Sequence, residues 1–328
     1  MKKLWIAVVA AGVCAAAHAQ ADSSAARGFP SKPVKLVAPY APGGAADVLA
    51  RSVAHHLSEV LKETVIVENK PGANTQVAAS FVARAPADGH TLLLASNASM
   101  VLNPLLYKKL SYQPEKDFKL TNILVEAPLV LVTNDKTQMQ TLAGVKAYAQ
   151  QNAGKLNYGS VGLGNPLQLT TELLKSRVGF EATHIPFNGS APALTALIAN
   201  ETQLFVDIVG TSLPHIQSGK LKPIVTLGAE RSTFLPDVPT AAESGVPGFK
   251  ASTWFGIAMP QATPAEVRLK IQNAVNAVME KKEFAEAAQK MFFAPQKPQS
   301  QAQIDQFLAS DSAMWQKVIQ DNRIQLDN

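Results

Sequence analysis

Short runs of β-branched and apolar residues alternate along the chain with stretches in which apolar positions recur every three or four residues. Residues 34–40, 64–68 and 91–96 read as strands with amphipathic segments between them, which predicts parallel strands joined by helices. After Asp47, the positions Leu49, Val53, Leu57 and Val60 or Leu61 share one helix face and leave Arg51 and Glu59 to water. A second group follows: residues 129–133, 156–160, 183–187, 203–209 and 223–227 read as strands, with helices at 167–178 and 192–200. The chain then crosses a Pro/Gly-rich passage at 235–239 and 246–248 before an apolar strand at 255–259 and two long helices with no strand between them. Two such helices carry no sheet of their own, so the chain must return to the first unit. The expected architecture is α/β, with a discontinuous first lobe of residues 28–126 and 228–328 and a second lobe of residues 127–227. Two crossings between the lobes make a two-crossing hinge with a cleft, and clefts between domains are where small ligands bind.

The amino terminus adds a destination. Lys2 and Lys3 precede an apolar run at 4–17 and then Ala17-His18-Ala19, the layout of a secretory signal peptide, residues 1–19, cleaved after Ala19. Cys14 follows Val13, where a lipoprotein signal carries a small residue, so the expectation is a free protein exported to the periplasm. No later stretch has the roughly 20 apolar residues of a membrane helix. The 328 residues are 47% hydrophobic and 17% charged, a globular composition, and the single cysteine excludes a disulfide framework or a zinc–thiolate cluster. Removing residues 1–19 leaves 28 basic against 25 acidic residues, and the cations stand singly, as at Lys35, Arg51, Lys62 and Lys70. No nucleic-acid partner is expected from that distribution.

Two glycine-rich segments carry the chemistry. Pro42-Gly43-Gly44-Ala45-Ala46-Asp47 lies where a strand ends and a helix begins, so unpaired N–H groups and the positive end of the helix dipole meet there, a geometry suited to an anion. Asp47 reads as the N-cap. A tight, capped strand-to-helix turn explains the same residues without a ligand. Residues 158–166 repeat the arrangement, with Gly159, Gly162 and Gly164 leading to Asn165-Pro166. The glycine spacing is neither a dinucleotide fingerprint nor a phosphate loop, and Ser160 lacks the nucleophile-elbow context, so it reads as a hydrogen-bond donor. His55 and His56 are adjacent on a helix and point about 100° apart, so no metal site is expected. His90, His184 and His215 each stand alone, and the sequence offers no acid/base dyad and calls for no cofactor.

Together the motifs resemble the substrate-binding proteins of tripartite tricarboxylate transporters, the TctC-like Bug family of periplasmic receptors. The resemblance spans nearly the whole mature chain and rests on residues 29–35 leading into 41–51, on Val67-Glu68-Asn69-Lys70-Pro71-Gly72-Ala73, on 87–93, on Leu235-Pro236-Asp237-Val238-Pro239-Thr240 and on Pro247-Gly248-Phe249. It implies a type II periplasmic binding protein fold, a Venus flytrap, whose cleft closes on a small organic carboxylate. It also implies delivery to inner-membrane permease subunits by a monomer, without catalysis. The residues it implicates in ligand binding are Tyr40, Ala41, Gly43, Gly44, Ala45 and Asp47 in the first loop. Ser96 and Asn97, then Ser160, Gly162, Gly164 and Asn165, and finally Asn188 and Gly189 follow in later loops. Asp207 matches a cleft-facing aspartate able to select a ligand amine or hydroxyl; a strand-end acid in water is the other reading. The chain departs from the family pattern at Gly164-Asn165 and Gln168, at Phe187-Asn188-Gly189 where a cation is common, and at Asn74-Thr75 where a second glycine is usual. Losing the cation at Asn188 points to a ligand with one obligatory carboxylate and a neutral, polar or aromatic remainder. A secreted α/β hydrolase and a ligand receptor for a sensor kinase are the alternatives.

Overall fold

The computed structural model describes residues 28–321, 324 and 326; the predicted signal peptide lies outside the described residues. The first strands are β1 (Val34–Ala38), β2 (Val65–Asn69) and β3 (Thr91–Ser96), joined by α1 (Ala45–Leu61) and α2 (Gln76–Ala83). A wide helical turn at Ala98–Leu102 and the short helices α3 (Asn103–Leu106) and α4 (Pro114–Asp117) lead into β4 (Phe118–Asn134). There follow α5 (Leu142–Gln151), β5 (Asn157–Ser160), α6 (Pro166–Val178), β6 (Thr183–Pro186), α7 (Ser190–Ala199), β7 (Leu204–Ile208), α8 (Val209–Gln217) and β8 (Leu221–Thr226). The chain ends with β9 (Ser252–Pro260), α9 (Ala265–Met279), α10 (Lys282–Lys290), β10 (Ala294–Pro295) and α11 (Gln301–Asp321).

The sheet order is β2-β1-β3-β9-β4-β7-β5-β6, with β8 and β10 also pairing to β4. β4 is 17 residues long and belongs to both halves. Its first part pairs antiparallel with β9, from Phe118↔Pro260 to Pro128↔Ser252. Its second part pairs antiparallel with β7 and β8 from Leu129 onward. The sequence pattern reveals only the second part, because Thr121, Asn122, Glu126 and Pro128 interrupt the apolar run of the first. The carboxy-terminal region also differs from expectation: it holds three helices, and a two-residue strand, β10, sits before the last and pairs with Glu126 and Val125.

α1 buries Leu49, Val53 and Leu57 as its spacing requires, and Arg51 and Glu59 remain exposed. The core is continuous through both halves, including Leu36, Leu92 and Ile257 in the first and Tyr158, Phe205 and Val225 in the second.

Behind the crossing, Trp254 of β9 is buried and its Nε1 donates to Asp311 Oδ2 of α11 at 2.9 Å. Burial pushes the Asp311 carboxyl up to about 6, opposed by the Trp254 hydrogen bond and by Lys250 and reinforced by Glu126. A carboxyl that binds its proton more tightly in the folded chain stabilises the fold below its ordinary value, and that contribution is lost as pH rises toward 6. Between pH 4 and 7 this group should remove about 2–3 kcal/mol of stability. Urea denaturation across that range should show a slope that Asp311→Asn abolishes; an unchanged slope would exclude Asp311 as its source.

Candidate functional site

The parallel strands of both halves end at the middle of β4. β3 runs alongside β9 so that Ser96, its last residue, pairs with Phe255, and Phe255 pairs with Val125 of β4. β7 runs the opposite way along β4, and its last residue, Ile208, pairs with Leu129. The carboxyl ends of the two strand sets therefore approach each other across four residues of β4, about 13 Å at 3.3 Å per residue. Ligands of open α/β sheets bind outside strand carboxyl ends.

In the first half, the loop after β1 exposes Ala41, Gly43 and Gly44 at the start of α1. Asp47 is not the N-cap. Gly44 holds that position, and the Asp47 carboxylate, 3% exposed, turns back onto the loop. It accepts from Gly43 N–H at 2.9 Å, Arg51 Nε at 3.0 Å and Asn69 Nδ2 at 2.8 Å. Burial raises its proton affinity, but the bonds from Arg51, Gly43 and Asn69 outweigh it and hold the carboxyl below its ordinary value. Asn69 also donates to Tyr40 O, so the end of β2 and the loop after β1 form one unit. Asp47 N–H and Val48 N–H both return to Gly44 O. The Gly44, Ala45 and Ala46 N–H groups at the positive end of a 17-residue helix have no acceptor among the described residues.

Tyr40 Oη lies 3.5 Å from Ser96 Oγ, and its ring packs edge-on against Phe255 of β9. Asn97 is fully buried; its Oδ1 accepts from Thr253 Oγ1 at 2.7 Å and its amide approaches Ser252 O. Ser96 and Asn97 thereby tie the loop after β3 to the returning strand.

In the second half, Asn165 caps α6 through Leu167 N–H at 3.0 Å, and Gln168 Oε1 accepts from Gly164 N–H at 2.6 Å. Ser160 is fully buried and donates to Gly162 O. His184, predicted to stand alone, lies 2.6 Å from Ser160 Oγ through Nε2 and stacks on Tyr158. The register of β5 with β6, Tyr158↔His184, makes that contact. Burial lowers the proton affinity of His184, with Glu172 opposing and Lys175 adding to the effect, so the imidazole is neutral and braces the serine. His90 likewise has a carboxylate, Asp88 Oδ1 at 3.3 Å, within reach of Nδ1.

Gly189, at φ 122°, precedes α7, and Ser190 Oγ donates to Asp207 Oδ1 at 2.8 Å. Asp207 is fully buried and also accepts from Thr211 at 2.6 Å and Ser212 at 2.8 Å. Burial raises its proton affinity against those three bonds. It is thus not a solvated strand-end acid; its three hydroxyl donors tie the first residue of α7 to α8. Asn188 itself is exposed.

The expectation that His55 and His56 diverge fails, since their donor atoms and a Glu59 carboxylate oxygen lie within 4.8 Å of one another. Lys281 Nζ, 2.5 Å from Glu59, already occupies that carboxylate. A separate groove of about 780 Å³ runs along α2, lined by Lys35, Phe81 and Arg84 and by none of the predicted site residues.

Two sheet halves sharing one strand, with glycine loops at converging strand ends, define a two-lobed solute-binding protein. The match to the family described as "Tripartite tricarboxylate transporter family receptor" covers residues 49–324, and the chain belongs to that family, TctC. The Bordetella pertussis protein BugT is 33% identical over 285 residues, 87% of this chain and 85% of that one. Among solved structures, "R. palustris Rpa4515 with adipate" is 31% identical with a TM-score of 0.86, covering 92% of this chain and 100% of that chain. MatC from Rhodopseudomonas palustris with bound malate is 29% identical with a TM-score of 0.82, covering 89% of this chain and 100% of that one. The TctC family consists of solute-binding receptors and is not an enzyme family. Among the described residues no helix is long and apolar enough to cross a membrane.

Proposed function

We propose that the chain captures a small organic carboxylate between its two lobes in the periplasm and delivers it to the inner-membrane permease of a tripartite tricarboxylate-type transporter. One observation carries this reading: both sets of parallel strands end at residues 125–129 of β4, each topped by a glycine loop that feeds a helix. The adipate and malate carried by the two Rhodopseudomonas proteins support a carboxylate as the ligand class. The lobes are assigned to residues 28–126 with 228–328 and to residues 127–227.

The first carboxylate rests on the N–H groups of Gly44, Ala45 and Ala46. Asp47 takes the role of positioning residue, since its own oxygens are occupied. Across the cleft, the Ser160–Asn165 and Asn188–Gly189 loops offer hydroxyl, amide and backbone donors but no cation. The ligand then has one obligatory carboxylate and a neutral, polar or aromatic remainder.

The test is calorimetric titration of the mature protein, residues 20–328, with benzoate, adipate, malate, an amino acid and an uncharged analogue. Binding of the carboxylates and silence from the uncharged analogue is the expected result. Malate binding far more tightly than any monocarboxylate would refute the neutral remainder alone. Failure of every carboxylate, with mass spectrometry finding no co-purified acid, would refute the reading itself.

A further inference from the structure

A side-chain hydrogen bond to one of the predicted site loops comes from a residue that the site assignment does not contain. The chain after β2 passes through Gly72, Ala73, Asn74 and Thr75 at φ 129°, 45°, 47° and 73°, four successive residues in the left-handed region. For Ala and Thr that region costs on the order of 1–2 kcal/mol each, and it persists only where the surroundings over-determine it. Here the determinant is a buried amide network. Asn103, fully buried, donates through Nδ2 to Asn74 O at 2.7 Å and Tyr112 Oη at 3.0 Å, and Tyr112 Oη donates to Ser99 O at 2.8 Å.

The Asn74 side chain completes the network and leaves it. One Nδ2 hydrogen goes to Asn103 Oδ1 at 2.9 Å, within the first half, and the other goes to Gly164 O at 2.9 Å, in the second. Gly164 is seated closely: at φ 73° it has no room for a Cβ, which would stand 2.6 Å from Leu326 Cδ1 and 3.1 Å from Leu106 Cδ1. The loop after β5 is thus docked on the first half, with Asn74 holding its carbonyl. Gly164 N–H is held by Gln168 on the other side of the same residue, so the carbonyl is aimed by its own helix.

We propose that Asn74 is a positioning residue for ligand retention: its amide latches the Gly162–Asn165 loop to the first lobe when the cleft is shut. Opening must break this bond because its two ends belong to different lobes. The latch acts on the closed state whatever the ligand, slowing release without touching the carboxylate.

The readout of closure needs no ligand. Spin labels at Arg84→Cys, just past the end of α2, and Arg177→Cys, in the last turn of α6, both exposed, report the distance between the lobes. The mature chain has no other cysteine to label. Asn74→Gly accepts the same positive φ without strain and removes only the amide. Asn74→Asp keeps the size but turns a carboxylate toward Gly164 O and Asn103 Oδ1. In the wild-type background a short, narrow distance population is expected, with Asn74→Gly shifting it to longer distances and Asn74→Asp shifting it further. Adipate release measured by stopped flow should accelerate about fivefold in Asn74→Gly, the effect of one net hydrogen bond. The release measurement rests on the proposed carboxylate cleft; the distance measurement does not. If adipate fails to bind but the distances shift as stated, the latch stands and only adipate is excluded as a ligand. If both variants keep the wild-type distance distribution, or the wild type already shows the broad one, the latch is overturned.

Discussion

Gly256→Ala should cost about 3 kcal/mol of stability or more, seen as a lower urea midpoint or as loss of soluble protein. Gly256 sits in the middle of β9, opposite Ile123, where the β4–β9 register slips on both sides, between Leu120 and Asn122 and between Ile123 and Val125. At those irregularities the backbone of β4 bows toward its neighbour, and a Cβ at 256 would come within 3.0 Å of Asn122 O, with Leu120 Cδ1 at 3.1 Å beside it. A backbone oxygen inside a ladder cannot rotate away as a side chain can. Asn122 is further fixed because its Nδ2 donates to Asn276 Oδ1 of α9 at 2.6 Å. The cost should reach binding as well, since Phe255, next along β9, supports Tyr40. Gly28→Ala, at a glycine whose Cβ would meet nothing within 4 Å and whose φ is likewise not positive, is the control for the change of residue alone. Equal losses in the two variants would mean that the close approach of β9 to β4 has no special cost.

Asp47→Asn should weaken carboxylate binding at least tenfold while costing about 2 kcal/mol of stability. The carboxylate is shared by a backbone N–H, a guanidinium and an amide, and an asparagine offers one oxygen to three donors. Its NH2 group would then face Gly43 N–H or Asn69 Nδ2, and Arg51 would lose its anion. The loop that presents Gly44, Ala45 and Ala46 would relax, so the binding loss should appear mainly in calorimetric affinity and only modestly in melting temperature. The native carboxylate also sets a pH limit. Because its proton affinity is lowered in the fold, its contribution is complete above the ordinary aspartate range and is lost as pH falls through that lowered value. Binding to Asp47→Asn at wild-type affinity would show that the first loop holds its shape without Asp47.

The glycine loops and the strand–helix alternation were legible because each is a local pattern with a local physical cause. The long first part of β4 was not, since a strand paired on both sides tolerates Thr121 and Asn122 when its polar groups find partners, as Thr121 Oγ1 does at Ile257 O. The role of Asp47 was half legible: an acid near a helix start signals a favourable dipole, but only the turn of the loop reveals that Gly44 holds the N-cap position and that the Asp47 carboxylate accepts from Gly43 N–H. The Ser160–His184 contact joins residues 24 apart in sequence, and it exists only through the parallel register of β5 and β6. Asn74 looked like a mere departure from a glycine, because the partner of its amide lies 90 residues away.

The shared strand has a consequence for how such chains can be rearranged. Pro128 of β4 and Ser252 of β9, 124 positions apart in the chain, are direct partners on neighbouring antiparallel strands. Their Cα atoms are therefore about 5 Å apart, the spacing of a hairpin's ends. Everything between them is topologically a single insertion into an otherwise continuous fold, closed by a cut no wider than a tight turn. A second half taken from a relative can be exchanged at that one place without rerouting any other connection, so ligand preference and the remainder of the receptor are free to be recombined separately.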